Sequence, residues 1–383
     1  VAQDFGAGRL QRIKDQLPQS LWVAVLLSLL VAPLCYLSPG GLPWLGIDAL
    51  TVQKSGDYIR MVAFGLPAIG IFMALRYHTQ GLGITSPFAV AAVIGFFANI
   101  PLNYVLIFGF GDIPAMGAKG CGIATAISMW LSALIITVYV LNKDSLKPYM
   151  PPWTPVAPDL PSIKNILILG FPVGATMFLE TAVFTGIALL ISSLGDVAIG
   201  AHQIAFNVWD MFYIPMLAIG GAMATRMGHA IGAQDKAGVF RALKAGMIYS
   251  GAVSAATMIV LLSLPHVIVS LYTQSSDMSL LAVRLLSFAA LFVMIDAVQI
   301  VGSFSMRAYK KTTFPFIASM VAYWLIALPL GYYLGIMTAN NASDGAAGFW
   351  VGIIVGVGVA SGMIAIKLVA LLQQPIPSDL VAE

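Results

Sequence analysis

The chain has 383 residues, of which 59% are hydrophobic and 9% charged, and its formal net charge is +3. A soluble domain carries roughly 25% charged residues, and 19 basic plus 16 acidic side chains cannot form the polar skin of a globule this size. A soluble enzyme, a nucleic-acid binder and a disordered chain are thereby excluded, and an all-α polytopic membrane protein remains.

Taken in chain order, ten segments stay apolar over the about 20 residues that a spanning helix requires. They are 20–38, 58–80, 87–110, 117–141, 163–194, 201–228, 243–272, 281–306, 314–336 and 346–372. None alternates with the two-residue period of a barrel strand. Residues 1–18 are polar and lack the apolar stretch of a signal peptide. Most connections are short. The exception is 142–162, NKDSLKPYMPPWTPVAPDLPS, whose prolines disfavour a continuous helix. It is expected to be a cytoplasmic linker joining an N-terminal lobe of about four spans, 1–141, to a C-terminal lobe of about six, 163–383.

With ten spans, the loops alternate sides. Fifteen of the 19 lysines and arginines then fall on one side, among them Arg9, Arg76, Lys143, Lys236 and Lys310. Only Lys54, Arg60, Lys119 and Arg284 fall on the other. The positive-inside rule makes the first side cytoplasmic, together with both ends of the chain.

The sequence repeats itself. A shift of 228 carries Thr85, Pro87, Pro101, Leu102 and Tyr104 onto Thr313, Pro315, Pro329, Leu330 and Tyr332, and Gly117 and Gly120 onto Gly345 and Gly348. Gly6-Ala7 matches Gly232-Ala233 at a slightly shorter shift. Both copies run in the same orientation by the charge count, so the fold expected is a two-lobe bundle of parallel repeats, the architecture of a transporter. The second copy runs about 70 residues before Gly232 and the first has only five before Gly6. About two spans of the first copy are therefore expected to be missing, with ten present of twelve.

A carboxylate in the middle of a span is costly and rare. Glu180, Asp210 and Asp296 occupy such positions. Helical spacing puts Thr176 and Phe184 one turn either side of Glu180. It puts Gln203 and Asn207 on the face of Asp210. It places Phe292 before Asp296, and Gln299, Ser303 and Arg307 after it on one stripe. Polar stripes on apolar helices face a bundle interior or a wet cavity. Glu180 and Asp296 are read as the site that couples transport to a cation or proton, since a desolvated carboxylate takes up one or the other. Asp210, Asn207, Gln203, Gln299, Phe292, Phe184 and Trp209 are candidate contacts for cation or substrate, the aromatics through cation–π attraction. Arg307, beside Lys310 and Lys311, is read as an interfacial anchor. The two cysteines and four histidines show no metal-ligand spacing. No phosphate-cradling G-x-x-x-x-G-K-[ST] loop occurs, so no metal, no cofactor and no ATP-driven motor within this chain is expected.

Several segments together resemble the multidrug and toxic compound extrusion (MATE) family, and its NorM-like branch most closely. They are VAQDFGAGR (1–9), LRYHTQGLGITSP (75–87), NIPLNYVLIFGFGDIPAMGAKGCGIATAI (99–127), GFPVGATMFLE (170–180), AHQIAFN (201–207), MGHAIGAQ (227–234) and DAVQIVGSFSMRAYK (296–310). The resemblance implies twelve helices in two lobes, and export of organic cations in antiport with Na+ or H+. It also implies coupling at the positions of Glu180 and Asp296, with Na+ held only transiently. The family's acidic residue in its first helix has no counterpart here. Sodium-binding relatives often carry tyrosine where Phe292 stands, which bears against sodium. Asp210 is an extra acid that would either complete the ion's coordination or widen the range of cationic cargo. The expectation is a monomeric multidrug exporter of a bacterial inner membrane, in contact with lipid and with organic cation drugs or dyes, and with no enzymatic activity and no nucleic-acid partner. The rival is a flippase of lipid-linked precursors, which would need several basic groups in its cavity.

Overall fold

The computed structural model describes residues 1–45, 48–151 and 156–377. Apart from an isolated bridge between Phe110 and Ile113, the regular structure among them is helical. The chain divides into two compact units, Val1–Leu167 and Ile168–Glu383. The expected linker, 142–162, includes residues 152–155, and the expected C-terminal lobe includes 378–383; these lie outside the described residues.

In the first unit, α1 (Ala2–Gly6) leads into α2 (Leu10–Leu37), followed by α3 (Ala49–Ala63), α4 (Leu66–Gly81), α5 (Ser86–Phe108) and α6 (Gly117–Asn142). In the second, α7 (Leu160–Ser192, its first two turns belonging to the first unit) precedes α8 (Asp196–Gly232), α9 (Lys236–Ser263), α10 (Pro265–Ser270) and α11 (Ser276–Ala308). The span Thr313–Met337 comes next, made of α12 (Thr313–Met320), a π-helical turn over Val321–Ala327, α13 (Leu328–Tyr332) and a second π-helical turn over Tyr333–Met337. Last is α14 (Ala342–Gln373). Among the described residues nine helices are long and apolar enough to cross a membrane, and α3 with α4 makes a tenth if that bent pair is one span.

Three sequence expectations are corrected. The second segment, read as one helix over 58–80, is two helices meeting at 48°. Pro67 has no N–H for the carbonyl of Ala63, and its ring crowds that carbonyl. The first helix of the pair also starts earlier, because Asp48 caps it by accepting the Thr51 N–H at 3.0 Å. The segment 243–272 ends as a helix at Ser263, since Pro265 opens the separate short α10. The span 314–336 is continuous but not regular: the π-helical turns flank α13, which holds Pro329.

Each unit has its own apolar core. Ile13, Leu17, Ala68 and Ile136 centre the first, and Ile187, Leu285, Val293, Phe349 and Val357 the second. The outer faces are also apolar: Leu37 is 70% exposed and Ile366 75%. Surfaces of that kind require a hydrocarbon surround, and the chain is a multi-pass membrane protein.

The internal repeat recurs in the backbone. At the end of α1, the Gly8 N–H donates to the Phe5 carbonyl at 3.1 Å and the Arg9 N–H to the Asp4 carbonyl at 2.8 Å. At the end of α8, the Gln234 N–H donates to Ile231 at 3.1 Å and the Asp235 N–H to Ala230 at 2.8 Å. Both are Schellman closures around a left-handed residue, with φ of +70° at Gly8 and +55° at Gln234. Gly83 and Lys310 close α4 and α11 in the same manner. The glycine motif recurs too. A side chain on Gly120 would collide with the Leu106 carbonyl, and one on Gly348 would come 2.8 Å from the carbonyl oxygen of Leu334. Leu106 and Leu334 are themselves related by the shift of 228.

Gly120→Ala and Gly348→Ala should each destabilise the protein by about 1–3 kcal/mol through this overpacking, whereas Gly174→Ala, whose new methyl meets nothing within 4 Å, should not. Gln234→Gly should gain up to about 1 kcal/mol by relieving a left-handed side chain. Thermal unfolding of the purified variants in detergent checks all four.

Candidate functional site

Two of the three mid-span acids of the second unit, Glu180 and Asp296, meet in one small cavity. It is lined by Thr176, Glu180 and Phe184 of α7, Trp209, Tyr213 and Leu217 of α8, Asp296, Gln299, Ser303 and Arg307 of α11, and Tyr323. Its volume, about 40 Å³ for the centre of a water-sized sphere, exceeds the roughly 10–15 Å³ that one water needs. A small ion with a water fits. A drug-sized ligand, whose pockets run to about 300–1,000 Å³, does not.

Local sequence explains how the acids arrive there. Pro172 interrupts the α7 ladder, and its carbonyl accepts from the Thr176 hydroxyl at 2.7 Å, one turn before Glu180. On α11 the spacing of three, then four residues from Asp296 to Gln299 to Ser303 keeps a polar stripe on one face. The Ser319 hydroxyl donates to Glu180 Oε1 at 3.2 Å. The Gln299 side-chain N–H donates to the same oxygen at 3.4 Å and to the Tyr323 hydroxyl at 3.5 Å. These bonds are long, and they use only the nitrogen of the Gln299 amide. Its Oε1 is buried without a partner, and so is Asp296 Oδ2. Two buried acceptors without a protein partner at one cavity call for a proton, a water or a metal cation.

The walls are aromatic. The Phe184 ring centroid lies 5.4 Å from Phe206, 5.5 Å from Trp209 and 5.9 Å from Tyr323. Phe292, almost fully buried, packs behind them with its centroid 5.3 Å from Trp209. Such a shell lowers the local dielectric and strengthens any charge interaction inside it. Arg307, read from sequence as an anchor, lines the cavity with its guanidinium 4.6 Å from the Phe304 ring centroid, within electrostatic reach of Glu180.

Of the sequence-selected residues, Glu180, Asp296, Gln299, Phe184 and Trp209 line the cavity, and Phe292 supports it from outside. Asp210, Asn207 and Gln203 do not line it. All three are exposed, on a different face of α8 from Trp209 and Tyr213. Ser319 and Tyr323 were not selected. They are neutral, and the span Thr313–Met337 holds no charged residue to draw attention to it. The π-helical turn at Tyr323 is a geometry found often at functional sites.

The geometry defines a helical membrane protein with a small acid-lined cavity in its second unit. Comparison with known proteins gives the family. A sequence profile of the MatE family matches residues 1–105 and 172–333. The multidrug resistance protein NorM of Vibrio vulnificus is 34% identical over 368 residues, 96% of this chain and 81% of that protein. The NorM protein of Photobacterium profundum is 35% identical over 370 residues, with the same coverage. The multidrug resistance protein MdtK of Yersinia pestis is 32% identical over 380 residues, 98% of this chain and 82% of its own. Among solved structures, a eukaryotic MATE transporter superposes with a TM-score of 0.86 at 19% identity, covering 96% of this chain and 80% of the other. A MATE transporter in a bent conformation gives 0.85 at 17% identity, covering 97% and 81%. The chain belongs to the MATE family.

Gln299→Leu retains most of the side-chain volume and removes both the donor and the orphaned acceptor. It should lower stability by about 1 kcal/mol, because Glu180 loses one of its two donors, and should weaken cation binding by about tenfold. Cation titration followed by tryptophan fluorescence, with Trp209→Phe to identify the reporter, measures this; unchanged affinity would remove Gln299 from the site.

Proposed function

We propose that this protein is a secondary active multidrug exporter of the NorM-like branch, driving organic cations out of the cell in exchange for Na+ or H+. The observation that carries the reading is the cavity shared by half-buried Glu180 and buried Asp296, with an unsatisfied carboxylate oxygen on Asp296 and an unsatisfied amide oxygen on Gln299. A site of this size and polarity exchanges a small ion with water while excluding the cargo. In the outward-facing state it takes up the ion, which neutralises the pair and favours release of a cationic drug. In the inward-facing state it gives the ion to the cytoplasm and the cargo site binds again. Relatives named for multidrug resistance support the choice of cargo.

The protein works as a transporter and not an enzyme. It acts as a monomer in the lipid of a bacterial inner membrane, its ends on the lysine- and arginine-rich cytoplasmic side, its lobes at 1–141 and 163–383 joined by a cytoplasmic linker. Among the described residues, Arg307 is the one basic side chain lining the cavity. A pyrophosphate-bearing lipid precursor would ask for several, so a flippase is the weaker reading.

Cells lacking their own exporters and expressing this protein should extrude ethidium under an imposed Na+ or pH gradient. Glu180→Gln and Asp296→Asn should each reduce the gradient-driven rate at least about tenfold, the loss expected when a buried charge contact is removed. The gradient that sustains efflux names the ion. No dye movement under either gradient would dispose of the proposal and make lipid-linked cargo the leading idea.

A further inference from the structure

The stripe on α8 has no role in the cavity just described, although it holds the third mid-span acid. Gln203, Asn207, Asp210 and Ile214 follow one another at spacings of four, three and four, so they share one helix face. All are exposed, and so is Met211 beside them. Asp210, Asn207 and Gln203 make no hydrogen bond or ion pair among the described residues. The helix has 37 residues, about 55 Å of length, which places Asp210 only about 6 Å along the axis from the helix midpoint. A free carboxylate and a free amide at that depth cannot face hydrocarbon. They face water, or a ligand.

The chemistry of the face selects the ligand. Its charge is a single carboxylate, and the nearest lysine or arginine along α8 is Arg226, about 24 Å away along the axis. One exposed acid and two amides are too few and too open to strip the water from an inorganic cation. A lipophilic organic cation is poorly hydrated already. It can set its charge against Asp210, bond or stack along the Asn207 and Gln203 amides, and lay its apolar body on Met211 and Ile214. The sequence left two roles open for Asp210, and its position outside the lining of the Glu180–Asp296 cavity favours the second, a widened range of cationic cargo.

The geometry points to the Gln203–Asn207–Asp210 face of α8 as a recognition site for lipophilic organic cations, separate from the Glu180–Asp296 cavity. The inference rests on the export reading above and adds which side chain recognises cargo charge. Asp210 is a specificity-determining residue here, and its effect follows the charge of the cargo.

The test pairs two lipophilic arylphosphorus ligands: tetraphenylphosphonium, a cation, and triphenylphosphine oxide, which is uncharged and has an oxygen in place of one phenyl ring. Binding of each to the purified full chain is measured by equilibrium dialysis, and export of each is measured in proteoliposomes under the sustaining ion gradient. Asp210→Asn should weaken tetraphenylphosphonium binding about fivefold, leave the neutral ligand unaffected and preserve the ion dependence of whatever export remains. Asp210→Glu should restore cation binding, which separates loss of charge from disturbed folding. Equal loss for both ligands, or cation affinity within about twofold of the parent protein, would overturn the inference while leaving the export reading intact. A parent protein that neither binds nor exports the cation would overturn both.

Discussion

The second unit is organised around the cost of holding two carboxylates, half-buried Glu180 and buried Asp296, in an apolar bundle. A buried acid must be given a proton, a cation or hydrogen-bond donors, and the bilayer interior supplies none of these by itself. Glu180 receives two long bonds, from Ser319 and Gln299. Asp296 keeps one oxygen without a partner. An incompletely satisfied site of this kind is unfavourable for stability alone, yet it suits a site that must fill and empty on every cycle. Phe184 and Trp209, which line the cavity and pack on each other and on Phe206, fit the same requirement, because apolar rings offer the acids no hydrogen bond.

Much of this was legible in the sequence because membranes penalise charge so heavily. Glu180 and Asp296 stand out in their spans, and helical periodicity alone brought Thr176, Phe184, Gln299 and Ser303 beside them. Periodicity did not say which face of α8 turns inward. Asp210 and Trp209 are adjacent in sequence and about 100° apart around the helix, and burial of the large rings of Trp209 and Tyr213 outweighs that of one acid. Ser319 and Tyr323 carry no charge and lie beside a π-helical turn, whose wider winding defeats a reading based on 3.6 residues per turn. The break between α3 and α4 was within reach of sequence, since Pro67 is plainly there; hydropathy averages over such a residue, and its stereochemistry does not.

The repeat was legible as matched prolines and glycines, and the structure gives those matches a cause. Glycine is needed at 120 and 348 because one helix lays its backbone against a carbonyl of its neighbour. The turn after α1 and the turn after α8 share the same two closing hydrogen bonds, although only the first has glycine at its left-handed position. Backbone geometry has outlasted residue identity there. Sequence comparison weakens at such positions, and hydrogen-bond registers keep the signal.

The size of the cavity has a thermodynamic consequence. A space of about 40 Å³ cannot admit a drug, so an exporter built around it cannot trade ion for cargo by direct displacement there. The exchange has to run through linkage, in which each ligand alters the other's affinity by the same factor. A cargo whose binding does not respond to the ion cannot expel the ion in turn. Such a compound would cross without spending the gradient, and the protein would only equilibrate it across the membrane. The breadth of a transporter of this design is then set by which compounds discriminate between its loaded and empty states, and tight binding alone does not bring a compound into its range.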